Sequence, residues 1–129
     1  MRKLAKVCLI DDDQIYLFAM RRIIQNLELC DTVEDFSNPE TALAAFRNWP
    51  DGMPDLIMVD INMPVMDGWQ FLSMYQTIVS KLSTKPALYM VSSSIDEADV
   101  ERANLHPLLD GYLVKPITAE KLLAIFGQD

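Results

Sequence analysis

Five times in 129 residues a short apolar run gives way to a longer segment of helical period, and that alternation admits few folds. Lys6-Val7-Cys8-Leu9-Ile10 reads as a first buried strand, followed by a helix with Ile15, Leu17, Phe18, Ile23, Ile24 and Leu27 on one face. Thr32–Phe36 is a second strand, and Asn38-Pro39 opens a second helix as N-cap and first helical position, running through Thr41–Trp49 until Pro50, Asp51 and Gly52 break it. The clearest strand, Asp55-Leu56-Ile57-Met58-Val59, ends on Asp60 and leads through Met63–Gly68 into a helix carrying Trp69, Phe71, Leu72, Tyr75, Ile78 and Val79. Pro86–Val91 is a fourth strand, Asp96 caps a polar helix to about Leu105, Tyr112-Leu113-Val114 is a fifth strand, and Thr118 caps a last helix with Leu122, Leu123, Ile125 and Phe126. Strand–helix units of this length predict an α/β fold, a parallel five-stranded sheet covered on both faces. Right-handed crossovers then favour the doubly wound order 2-1-3-4-5.

Charge narrows the function. Lys and Arg number 11 against 19 Asp and Glu, a net −8, and an acidic surface repels phosphate backbones, so direct nucleic-acid binding is disfavoured. Arg2, Lys3 and Lys6 form only a short N-terminal cluster. Apolar runs fall short of the roughly 18 residues that span a bilayer, and Val7–Ile10 stops at three acids, unlike a signal peptide. The chain is expected to be cytoplasmic, with no membrane contact. Cys8 and Cys30 are expected to be inert thiols rather than a disulfide or metal site.

In an open α/β sheet, ligands bind beyond the carboxyl ends of the strands where the strand order reverses. Here Asp11, Asp12 and Asp13 follow strand one, Asp60 ends strand three, Ser92 follows strand four, and Lys115 follows strand five. Taken singly each has an ordinary explanation: Asp12 or Asp13 as a helix cap, Ser92 as a loop residue, Lys115 as a solvated charge. Together they converge on one rim. Crowded carboxylates repel, and a hard divalent cation relieves the repulsion. A small set of oxygen ligands suits Mg²⁺, whereas zinc lacks His or Cys ligands there. A carboxylate beside Mg²⁺ and a lysine is equipped to attack phosphorus, with a hydroxyl to donate to a third oxygen.

These residues fall in four ordered motifs: Val7-Cys8-Leu9-Ile10-Asp11-Asp12-Asp13, Asp60-Ile61-Asn62-Met63-Pro64-Val65-Met66-Asp67-Gly68, Tyr89-Met90-Val91-Ser92-Ser93 and Gly111-Tyr112-Leu113-Val114-Lys115-Pro116. In them the chain resembles the receiver domains of two-component response regulators, over nearly its whole length. The resemblance implies a flavodoxin-like three-layer sandwich forming one receiver over residues 1–129 without an output domain, of the stand-alone, chemotaxis type. Asp60 would take a phosphoryl group from a histidine kinase or histidine phosphotransfer protein. Asp12 would hold Mg²⁺ (or Mn²⁺) directly and Asp11 through water, with Asp60 and the Asn62 main-chain carbonyl completing the protein ligands. Ser92 would be the switch hydroxyl, Lys115 the phosphate-pairing lysine and Tyr112 the switch aromatic, with a cis Lys115-Pro116 bond. Asn62 and Ser94 occupy the two variable positions beside the attacking water, and neither is an acid or base. Phosphorylation would re-form the surface of helix four, strand five and helix five for an unknown downstream protein, the chain being a monomer or weak dimer. Such a protein is no enzyme beyond its own phosphotransfer and slow autodephosphorylation. The chain departs from the family at Ser93, usually Ala, and at Arg102–Asp110, which lacks the usual Gly-Ala.

Three alternatives stand beside this expectation. An aspartate-nucleophile phosphohydrolase needs a second acid two positions after the nucleophile, where this chain has Asn62. A flavin-binding module needs a Ser/Thr/Gly-rich cradle after strand one, the electrostatic opposite of Asp11-Asp12-Asp13. A docking receiver that no longer accepts phosphate would have no need of the full residue set. His106 is expected to be solvated, Met58, Met63, Met66, Met74 and Met90 to serve packing, and Trp49 and Trp69 to be partial covers near the rim.

Overall fold

The computed structural model describes residues 4–48, 53–82, 84–93 and 95–126. The expected Ser94 position, Trp49, the Pro50–Gly52 break and the Arg2–Lys3 pair lie outside them. Ten elements alternate: β1 (Leu4–Ile10), α1 (Gln14–Asn26), β2 (Cys30–Phe36), α2 (Pro39–Arg47), β3 (Leu56–Asp60), α3 (Gly68–Val79), β4 (Ala87–Ser92), α4 (Glu97–Leu105), β5 (Gly111–Val114) and α5 (Ala119–Phe126). All strand pairs are parallel, and the sheet order is β2-β1-β3-β4-β5, as the alternation predicts.

The two-residue period of the strands sorts their side chains into two cores, one on each face of the sheet. Val7 and Leu9 of β1, Leu56 and Met58 of β3, and Tyr89 and Val91 of β4 pack with Leu17, Met20 and Ile24 of α1 and Leu122 and Phe126 of α5. The residues between them, Cys8, Ile10, Ile57, Val59, Leu88 and Met90, pack with Leu43 and Phe46 of α2 and Phe71, Leu72 and Tyr75 of α3. Within that second core Phe71 stacks on Tyr75 at 5.6 Å and Phe46 meets Tyr75 edge-on at 6.0 Å. Because β1 and β3 are buried on both faces, they read as unbroken apolar runs rather than alternating ones.

Helix starts follow local chemistry. Asp13, Asn38, Asp67 and Asp96 each accept backbone N–H groups of the first turn that follows. Asp67 forms a full capping box with Gln70. At α5, Thr118 Oγ1 accepts the Lys121 N–H at 3.2 Å. The Lys115-Pro116 bond is cis, as expected.

The expected face of α1 needs correction. Leu17 and Ile24 are buried with Met20, but Ile15 and Phe18 point outward, 83% and 63% exposed. At 100° per residue, positions 17, 20 and 24 share one stripe and 15, 18 and 22 share another, so an apolar residue on either looks alike in a window count. Phe18 instead lies beside the Arg22 guanidinium, 5.7 Å from its ring centroid. His106 is half-buried rather than solvated, its Nδ1 accepting the Leu108 N–H, and burial holds its pKa below the usual value. Neither Cys8 nor Cys30 is in a disulfide among the described residues, and burial pushes the Cys8 thiol up, out of reach of the thiolate form. No helix among the described residues is long and apolar enough to cross a membrane.

Candidate acidic site at the strand ends

The strand order reverses between β1 and β3, and their carboxyl ends carry Asp11 and Asp60 into the same crevice. Ligand oxygens of Asp11, Asp12 and Asp60 all lie within 4.8 Å of one another. Asp11 and Asp60 are buried and Asp12 is exposed. Asp11 is fully engaged: Oδ1 accepts the Asp13 N–H at 2.9 Å and Oδ2 accepts the Lys115 ammonium at 2.8 Å. Lys115 Nζ also stands 3.8 Å from Asp60 Oδ1. β5 delivers that lysine, and its backbone N–H donates to the Ser92 carbonyl at the end of β4. Ser92 itself is buried at the same rim.

Burial, foremost, and the charge of Asp11 push the Asp60 carboxyl up to about 6, against the opposing pull of Lys115. The Asp12 charge adds to the rise, and an N–H donated by Asn62 to the carboxylate lowers it. A carboxyl raised in the native state binds its proton there before the unfolded chain does, so folding is favoured at low pH and loses that support as pH rises from about 4 to 6. We therefore expect the metal-free chain to lose up to about 3 kcal/mol from this group across that interval. Thermal melts in chelator should show it, and Asp60→Asn should flatten the slope. An identical slope in the variant would mean that Asp60 is an ordinary carboxyl.

The three-carboxylate donor set fits a hard divalent cation: oxygen ligands only, mutually repelling, with one member exposed. Asp11, with both oxygens engaged, suits an outer position better than a direct one. Asp13 turns out to be the helix cap, accepting the N–H groups of Ile15 and Tyr16.

The loop after β3 is tightly held. Gly68 N–H donates to the Ile61 carbonyl at 2.8 Å, and Met66 N–H to the Pro64 carbonyl at 2.7 Å. The second bond closes a three-residue turn on Val65, whose φ of 71° is rare for a β-branched residue. Asn62 is exposed beside the crevice. Tyr112, in β5, is half-buried against the α2–α3 core. Trp69, one of the expected covers, bridges to α4: its indole N–H donates to Asp99 Oδ1 at 3.1 Å, and the Arg102 guanidinium lies 4.2 Å from its ring. The sequence reading passed over one neighbour of the site. Tyr16, in the first turn of α1, places its ring 4.0 Å from Lys115 Nζ. Its helical offset from Met20 and Ile24 was the available signal, since it sets Tyr16 on the sheet-facing side just past the acids.

Fold and rim together define the class: a doubly wound α/β protein with an acidic site at its switch point. Residues 7–126 match the response regulator receiver domain family, and the chain belongs to it. It is 32% identical over 124 residues to the nitrate/nitrite response regulator protein NarL of Escherichia coli strain K12, covering 96% of this chain and 54% of that one. With the two-component response regulator ORR41 of Oryza sativa subsp. japonica it shares 28% identity over 127 residues, 98% of this chain and 95% of the other. The crystal structure of a two-component response regulator from Cytophaga hutchinsonii superposes with a TM-score of 0.90 at 28% identity, covering 98% and 96% of the two chains. The chain spans about half the length of curated bacterial regulators that it matches, such as NarL and PrrA.

Proposed function

We propose that residues 1–129 act as one receiver unit that stores a phosphoryl group on Asp60, taken from a phosphohistidine of a histidine kinase or phosphotransfer protein. The observation that carries this reading is the ammonium of Lys115 set 2.8 Å from Asp11 and 3.8 Å from Asp60, beside a third carboxylate. In the reaction an Asp60 oxygen bonds to phosphorus while the P–N bond of the donor breaks. The electron pair returns to the imidazole, which keeps or takes up a proton from water. Lys115 moves its charge from Asp11 toward the incoming phosphoryl oxygens, and the Ser92 hydroxyl donates to another. Asp12, Asp60 and the Asn62 carbonyl would hold Mg²⁺ (or Mn²⁺), with Asp11 behind it through water; the ion would offset the charge accumulating between acceptor and phosphoryl group.

Uptake adds about two negative charges in a buried crevice. The pull on Ser92 and Lys115 reaches β4 and β5, and Tyr112 is the aromatic that answers it by turning inward, re-forming the α4–β5–α5 surface for a downstream protein. Asn62 and Ser94, the residues at the family's two variable positions, are neither acid nor base, so the acyl phosphate is lost only slowly. The chain thereby works as a phosphoacceptor in the cytoplasm, as a monomer or weak dimer, rather than as an enzyme turning over a substrate.

Acetyl phosphate with Mg²⁺ tests this directly. The mass of the intact chain should rise by one phosphoryl group, and chelating the metal should abolish the rise. Equal labelling with chelator present would overturn the metal-dependent reading. Steady turnover of a generic phosphate ester would instead revive the phosphohydrolase alternative.

A further inference from the structure

Tyr16 has no part in the phosphoacceptor scheme above, yet it touches the group on which that scheme turns. Its ring lies 4.0 Å from Lys115 Nζ, the same ammonium that stands 2.8 Å from Asp11 Oδ2 and 3.8 Å from Asp60 Oδ1. The Lys115 side chain is 18% exposed, so the contact is made largely out of water, where a cation over an aromatic face gains most. The Tyr16 hydroxyl is buried and has no hydrogen-bond partner among the described residues, so it is the ring and not the hydroxyl that engages the site.

A lysine stem has four rotatable carbons, and left to itself its charge would sample many positions or pair fully with Asp11. An aromatic face attracts the charge without accepting one of its N–H groups in a directed bond. A carboxylate or carbonyl in the same place would consume a donor, and an aliphatic side chain would exclude water with no attraction to offset it. We propose that Tyr16 is a positioning residue for phosphoryl uptake, its ring face holding the Lys115 ammonium between Asp11 and Asp60 with N–H donors left for the incoming phosphoryl oxygens. The inference rests on the reading of Asp60 as phosphoacceptor.

The test uses the whole chain with Tyr16→Phe and Tyr16→Leu, each alone and combined with Lys115→Ala. Initial uptake from acetyl phosphate is measured at saturating Mg²⁺, and the Lys115 ε-methylene shifts are followed by NMR in the unphosphorylated state. Tyr16→Phe should stay within about twofold of the unsubstituted chain, because the ring is kept, while Tyr16→Leu should be slower by roughly tenfold. In the Lys115→Ala background the difference between Phe and Leu should vanish, a result that loss of packing alone would not give. Lys115 ε-protons should be shifted upfield in the unsubstituted chain and in Tyr16→Phe, and not in Tyr16→Leu.

Equal rates for Leu and Tyr, an equal fall for Phe and Leu, or the same Leu defect without Lys115 would each overturn the proposal. If the unsubstituted chain takes no phosphoryl group, the Asp60 reading fails by itself, and the ring shifts still decide whether Tyr16 holds the ammonium. Should Tyr16→Leu not fold, absence of the upfield shift in the unsubstituted chain suffices to reject it.

Discussion

Asp60→Asn will take up no phosphoryl group from acetyl phosphate and Mg²⁺ under conditions that label the unsubstituted chain fully. An amide keeps the size and planarity of the carboxylate but offers no anionic oxygen to phosphorus. The neighbouring acids are poor substitutes: Asp11 has both oxygens engaged and Asp12 is exposed to water. The variant should also fold well. At neutral pH it removes a buried charge that Asp11 opposes, so its melting temperature in chelator should equal or exceed that of the parent. Loss of uptake with stability retained separates a missing nucleophile from a collapsed site. Full uptake by the variant would take Asp60 out of the role.

Gly68→Val should cripple both folding and uptake. A Cβ at this position would stand 2.8 Å from the Asp60 carbonyl, 2.9 Å from the Ile61 Cα and 2.9 Å from the Met90 sulfur. The methionine can swing aside, but the first two are backbone atoms of the segment that carries Asp60. They can yield only by moving the acceptor itself. Overpacking of this kind costs about 1–3 kcal/mol, and a misplacement of about 1 Å at a reacting atom can cost roughly a hundredfold in rate. Gly111 supplies the control. There a Cβ would meet the ring of Tyr89 at 2.8 Å, a buried side chain of the core on the α1–α5 face, and none of its three nearest atoms belongs to the acidic crevice. Gly111→Ala should therefore cost some stability and leave the rate per folded molecule nearly unchanged. Chemical denaturation alongside the uptake assay reads both. A Gly68→Val chain as stable and as fast as the parent would show that the β3–α3 junction does not fix the acceptor.

The fold could be read from the chain because its information is local. Two-sided burial makes β1 and β3 continuous apolar runs, and Asn38-Pro39 and Asp96 mark helix starts within three residues of the bonds they make. The acidic rim was legible for the same reason: Asp11, Asp60, Ser92 and Lys115 each stand at the end of a strand, and a parallel sheet brings such ends together whatever lies between. What depends on rotamers or on choice between two faces was not. Ile15 and Phe18 share hydrophobicity with Leu17 and Ile24 but not direction. Tyr16 meets Lys115 across nearly the whole chain; its helical offset sets which face it is on, but not the partner it finds there. Val65 carries a left-handed backbone that its side chain gives no reason to expect. The bridge from Trp69 to Asp99 and Arg102 likewise joins α3 to α4 through side chains far apart in sequence.

The central claim is that one carboxylate in this crevice forms an acyl phosphate. Treating the acetyl-phosphate-labelled chain with borohydride, which converts an aspartyl phosphate to homoserine, and sequencing its peptides by mass reads out the acceptor directly. The account predicts homoserine at position 60 alone, in Mg²⁺ and not in chelator. Conversion at Asp11 or Asp12 with position 60 intact, or no conversion in a chain that binds Mg²⁺ normally, would contradict it.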